Sequence, residues 1–194
     1  MSNTIEIEAK ALVSKNDYEK LALKYMKYGV YTQTNHYIDS KDGILSKEKL
    51  SLRIREKDNR FEMTLKVPLS QGLLEKNSTW SKEDFINFRD NSIFPDGDIK
   101  KMLNMLDIHT KTLKIKTSLT TDRIDVPYEN GKLSIDKNSY SGIEDYEVEL
   151  EHNNEEDAEK YLQKFLEDNH VAFSLNKKSK TARAMEALKA AEGK

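Results

Sequence analysis

The chain has 194 residues, of which 37% are apolar and 34% charged, with 32 basic residues against 34 acidic and a formal net charge of −2. This length points to one domain spanning 1–194, able to bury about 70% of its unfolded surface without covalent staples. With no cysteine, a disulfide scaffold, a zinc ribbon, an iron–sulfur cluster and a cysteine nucleophile are all excluded, and a cytoplasmic location is expected. Balanced charge argues against a nucleic-acid partner. The lack of a long apolar run argues against a membrane span, and the opening MSNTIEIEAK has no basic-then-apolar order of a signal peptide.

Residues 4–13 alternate Ile5, Ile7, Ala9 and Ala11 with Glu6, Glu8 and Lys10, which predicts a strand with one apolar and one charged face. Ser14 caps a helix that Gly29 ends. A second strand follows over 30–39. Strands over 50–57 and 60–67 alternate again around the tight turn Asp58–Asn59, with Arg53, Arg55, Glu62 and Lys66 on the polar side. Residues 68–79 read as a loop, which puts Glu75 on the surface, and Trp80 reads as a packing residue. Helices are predicted from Ser81 to about Arg89 and from Asp96 or Asp98 to about Leu106.

Strands return over 112–118, 120–127, 132–137 and 145–151. Their polar sides carry Lys114 and Lys116, then Arg123 and Asp125, then Ser134 and Asp136, then Glu147, Glu149 and Glu151. Glu129–Asn130–Gly131 is a hairpin turn. Asn153 or Asn154 caps a helix to about Asp168, and the tail from about Ser179 is helical. The order of elements gives an α+β class with a mainly antiparallel sheet.

Charge is sorted by strand on these polar faces. One reading is a solvated sheet with cross-strand ion pairs worth about 0.2–1 kcal/mol each. The other is a closed barrel of about eight strands with the charges turned inward and helices covering the outer apolar faces. A charged interior needs a charged ligand to compensate it. Arginine and lysine rows suit phosphate oxygens, and clustered carboxylates suit a hard cation such as Mg²⁺ or Mn²⁺.

Glu6-Ile7-Glu8-Ala9-Lys10 resembles the E-x-E-x-K signature of the CYTH superfamily, named for class IV adenylyl cyclases and thiamine triphosphatases and also called the triphosphate tunnel metalloenzymes. Further matches follow in order: Arg53-x-Arg55, Lys66, Arg123, Asp136, Glu147-Val148-Glu149-Leu150 and Ser179-Lys180. Together they span nearly the whole chain and most resemble the small single-domain members of Gram-positive bacteria. The resemblance implies a closed eight-stranded antiparallel tunnel holding a triphosphate-containing small molecule and Mg²⁺ or Mn²⁺. It implies Glu6, Glu8, Asp136, Glu147 and Glu149 as metal ligands. It implies Lys10, Arg53, Arg55, Lys66, Arg123 and Lys180 as phosphate-binding residues, with Glu6, Glu8, Lys10 and Glu149 at the catalytic centre. The expected activity is a metal-dependent triphosphatase, in a monomer or homodimer. Alternatives are adenylyl cyclase, thiamine triphosphate hydrolysis, and a non-catalytic polyphosphate or nucleotide sensor.

Overall fold

A computed structural model describes the backbone of residues 2–70 and 72–193, and their side chains from residue 7 onward. The sheet is antiparallel, with strand order β1-β6-β5-β4-β3-β7-β8-β9-β2. β1 (Ser2–Glu6) and β2 (Glu8–Val13) are separated by Ile7 alone. The strand order therefore starts and ends on one interrupted N-terminal strand, which gives the eight-stranded topology expected from the sequence. Chain packing divides into two compact units, Met1–Ile5 with Thr34–Ser118, and Glu6–Gln33 with Leu119–Lys194. The boundaries run through β3 (Tyr31–Asp39) and β7 (Lys114–Tyr128).

In the first unit, β4 (Ser51–Lys57), β5 (Arg60–Pro68) and β6 (Leu73–Trp80) form a meander. Leu52, Ile54, Phe61, Met63 and Leu65 pack with Phe85 and Phe88 of α3 (Lys82–Asn91) and Ile99 and Leu103 of α4 (Asp98–Met105). Ser81 caps α3 in a full capping box with Asp84. Trp80 is a packing residue as expected, edge-on to Phe88 and Phe94. The expected loop over 68–79 is wrong, since its second half is β6, paired residue by residue with β5. Leu73–Trp80 carries few β-branched residues, so its strand state comes from pairing rather than propensity. A short helix, α2 (Ile44–Lys47), was also missed.

In the second unit, β8 (Gly131–Tyr140) and β9 (Ile143–Glu151) pair with each other, with β7 on one side and β2 on the other. Ala9, Ala11, Ile124, Val126, Leu133, Ile135, Val148 and Leu150 form the apolar face. Leu21 of α1 (Lys15–Tyr25) packs on it, as do Ala158, Leu162, Phe165 and Leu166 of α5 (Glu155–Asp168). The expected caps Ser14 and Asn154 each accept a backbone N–H three residues on. The strands expected over 112–118 and 120–127 are one strand, β7.

Three two-residue turns set the register. Asp58–Asn59, Glu129–Asn130 and Ser141–Gly142 all have positive φ at both positions, the backbone that matches the twist of a tight hairpin. At Gly131, a Cβ would stand 2.4 Å from the Glu151 carbonyl oxygen. Gly131→Ala should therefore destabilise the chain by about 1–3 kcal/mol, read as a lower urea midpoint; an unchanged midpoint would show that the β8–β9 edge yields freely.

Candidate functional site

Because side chains alternate faces along a strand, the register decides which charges meet. In the second unit Arg123 stands opposite Asp136, and Asp136 opposite Glu147. The next row is Asp125, Ser134, Glu149 and Lys10, and the row beyond ends with Lys132, Glu151 and Glu8. Asn138 and Asp145 form a row on the other side of Asp136 and Glu147.

Asp136, Glu147 and Glu149 each bring a carboxylate oxygen within 4.8 Å of the other two. Asp136 and Glu147 are fully buried, so the solvated-sheet reading fails here. Their repulsion is balanced by cations. Arg123 donates from Nε and Nη2 to the two oxygens of Asp136, at 2.7 and 2.6 Å, and from Nη2 to Glu149 Oε2 at 2.9 Å. Lys180 opens α6 (Lys180–Glu192), capped by Ser179. Its Nζ lies 2.9 Å from Asp136 Oδ2, 2.6 Å from Glu147 Oε2 and 2.5 Å from Glu149 Oε1. One ammonium thus touches all three carboxylates.

The electrostatics follow from this contact set. Burial opposes charge on Glu149, but Lys180, Arg123 and Lys10 outweigh it and hold the carboxyl well below its usual range. Burial also opposes charge on Lys180, where Asp136, Glu149 and Glu147 outweigh it and keep the ammonium protonated well above its usual range. Arg123 is likewise held up against burial by Asp136 and Glu149. Lys10 is raised despite burial by Glu8, its hydrogen-bond partner, and by Glu149.

The first unit has its own polar face. Register sets Arg53 against Thr64 and Thr64 against Asn77, Ser51 against Lys66 and Lys66 against Glu75, and Arg55 between Asn35 and Glu62. Lys66 Nζ lies 2.6 Å from Glu75 Oε1, with Arg53 Nη2 at 3.9 Å from the same oxygen. Arg55 Nε donates to Asn35 Oδ1 at 3.2 Å. The Arg53 Nε is buried and, among the described residues, has no hydrogen-bond acceptor.

The expected metal ligands divide. Asp136, Glu147 and Glu149 come together, Glu8 pairs with Lys10 instead, and the Glu6 side chain lies outside the described residues. Lys180 is the C-terminal lysine of the site, whereas Lys178 pairs with Glu186 at the surface. Among the flanking residues, Lys114 and Glu62 are exposed, Lys116 is half-buried, and Glu151 pairs with Lys132. The surface reading of Glu75 is overturned, because its side chain is 12% exposed and serves the Lys66–Arg53 cations.

Sequence reasoning also missed Asp145, Asn176 and Arg183. Arg183 donates from Nη1 and Nη2 to both oxygens of Glu147, at 3.0 and 2.9 Å, and from Nε to Asp145 Oδ2 at 2.9 Å. Asn176 Nδ2 adds a bond to Glu147 Oε1 at 2.9 Å. One more step of strand alternation reaches Asp145, and Arg183 follows Lys180 by the three residues that share a helix face.

The donor set fits a hard divalent cation: three carboxylates converge on one point, and a positive group of the chain already stands there.

The CYTH domain model matches residues 4–185. The chain is 34% identical over 172 residues to the "Putative triphosphatase YjbK" of Bacillus subtilis, covering 85% of this chain and 88% of that one. It is 38% identical to the crystal structure of a "putative adenylate cyclase" from Bacillus halodurans, with a TM-score of 0.86 and coverage of 94% and 98%. A Hippeastrum protein, whose structure is described as a "putative adenylyl cyclase" with a dominant triphosphatase activity, has the same fold at 19% identity and a TM-score of 0.76, covering 94% and 96%. With the family model matching nearly its full length, the chain belongs to the CYTH domain family.

Proposed function

We propose that the chain is a metal-dependent phosphohydrolase that binds a triphosphate-bearing small molecule and hydrolyses its terminal phosphate. The carrying observation is the Asp136–Glu147–Glu149 trio, two of its members fully buried, gathered around the ammonium of Lys180. These three residues would hold Mg²⁺ or Mn²⁺, with Glu6 and Glu8 as further carboxylates of the family pattern. Such an ion supplies neutralisation of phosphate charge and an acidified water for attack on phosphorus.

The chain's own residues do the rest. Arg53, Arg55 and Lys66 bind phosphate oxygens, and the buried Nε of Arg53, which has no acceptor among the described residues, supports that role. Lys10, Arg123 and Lys180 add positive charge beside the carboxylates. Positioning and charge neutralisation then lower the barrier, with no covalent intermediate required. The name of the Bacillus subtilis relative agrees with this reading, and the lack of cysteine fits a reducing cytoplasm.

Adenylyl cyclase is the second reading, favoured by the name of the Bacillus halodurans relative. Hydrolysis needs carboxylates to hold a metal and cations to bind phosphate, which the polar faces carry, whereas cyclisation also needs contacts to a base and a ribose. Inorganic triphosphate, ATP and thiamine triphosphate, each with Mg²⁺ or Mn²⁺, should separate the readings. Phosphate release without cyclic AMP is expected. Cyclic AMP with pyrophosphate would establish the cyclase, and binding without turnover would establish a sensor.

Glu149→Gln and Asp136→Asn should each lower metal-dependent turnover by about 100-fold or more, because charge stabilisation by a bound cation is worth several kcal/mol. Full activity in both, measured as phosphate release, would remove the metal assignment. Arg55→Ala should raise KM by about tenfold or more, the worth of a hydrogen bond to a charged group, and an unchanged KM would remove its phosphate role.

A further inference from the structure

Glu147 differs from the other two carboxylates of the trio in how its oxygens are used. Oε1 accepts from Arg183 Nη1 at 3.0 Å and from Asn176 Nδ2 at 2.9 Å. Oε2 accepts from Arg183 Nη2 at 2.9 Å and touches Lys180 Nζ at 2.6 Å. Each carboxylate oxygen has two acceptor sites. Oε1 is therefore full, and Oε2 has one remaining direction, the one in which the Lys180 ammonium stands.

Arg183 is itself fixed. Its side chain is 8% exposed. It is anchored through Nε on Asp145 Oδ2 and through Nη1 on the Lys178 carbonyl at 3.0 Å. Asp145 in turn accepts from Tyr140 Oη at 2.6 Å and Asn138 Nδ2 at 2.9 Å. Asn176 is held as well: its N–H donates to the Lys10 carbonyl at 2.7 Å, and its Oδ1 accepts from the Lys178 N–H at 3.0 Å. The fork of Arg183 thus belongs to a fully bonded frame, whereas Lys180 reaches the trio through a flexible stem.

We infer that Arg183 is a positioning residue that makes Glu147 a one-oxygen ligand, presenting only Oε2 to a divalent cation at the place where the Lys180 ammonium stands. Asn176 supports it by occupying the second site on Oε1. α6 then contributes two cations of different kind to the same carboxylate. Arg183 is the permanent clamp, and Lys180 stands where the cation would be held. This inference rests on the metal reading proposed above.

The test is calorimetric titration of Mn²⁺ into the substrate-free full chain and its R183Q and R183K variants, with circular dichroism to confirm folding. Wild type should bind. Both variants should bind about 10–100-fold more weakly, the usual cost of losing a hydrogen-bond partner behind a metal ligand. Lysine should not rescue, because it keeps the charge but lacks the two-pronged fork. With inorganic triphosphate at saturating Mn²⁺, kcat should fall more than KM rises.

Wild-type Mn²⁺ affinity in folded R183Q, or full rescue by R183K, would overturn the inference while leaving the metal reading standing. No Mn²⁺ binding by wild type would remove the metal reading and the inference together. Should R183Q not fold, N176A decides: a smaller loss of affinity in the same direction is expected, and an unchanged affinity overturns the inference.

Discussion

Three carboxylates within 4.8 Å of one another, two of them fully buried, can stay ionised only among cations. Isolated charges in such an environment would cost several kcal/mol each. Arg123 arrives from β7 and Lys180 and Arg183 from α6, and together they touch every member of the trio. This neutralisation constrains much of the second unit. The register of β7, β8 and β9 must put Arg123, Asp136 and Glu147 in one row. The C-terminal helix must start where Lys180 and Arg183 both reach β9.

The first unit meets the same constraint with the signs reversed. Its polar face is rich in cations, and Glu75 is the carboxylate that faces Lys66 and Arg53. Each charged face therefore carries an internal counter-ion of the opposite sign. An ammonium stands among the carboxylates, and a carboxylate stands among the cations. Within each unit these opposite charges let a dense polar face sit beside a stable core.

Much of this was legible in the sequence because strand alternation has a period of two. The rows of Arg53, Arg55, Arg123, Asp136, Glu147 and Glu149 followed from parity, and parity survives small errors in strand ends. The illegible parts have physical causes. β6 is held by its pairing with β5, so its own residues gave no strand signal and Glu75 was misplaced. Arg183 and Asn176 act through a helix and a turn whose docking on β9 is a long-range event. The three-residue spacing from Lys180 could mark Arg183 as a neighbour, but not as the partner of Glu147. The short helix α2 has its N-terminal turn held by Asp39, whose carboxylate accepts from Leu45 and Ser46 N–H, a contact that helical periodicity does not show.

In the proposed reading, the Lys180 ammonium and a divalent cation compete for one place among Asp136, Glu147 and Glu149. Thermal unfolding of Lys180→Met beside wild type, each with and without Mn²⁺, separates competition from independence. Without metal the variant should melt lower, since removing one partner of a buried ion pair costs about 3–5 kcal/mol. With Mn²⁺ its midpoint should rise by more than that of wild type, because a ligand that binds the folded state more tightly stabilises it more. An equal or smaller rise in the variant would show that Lys180 and the cation do not share one place.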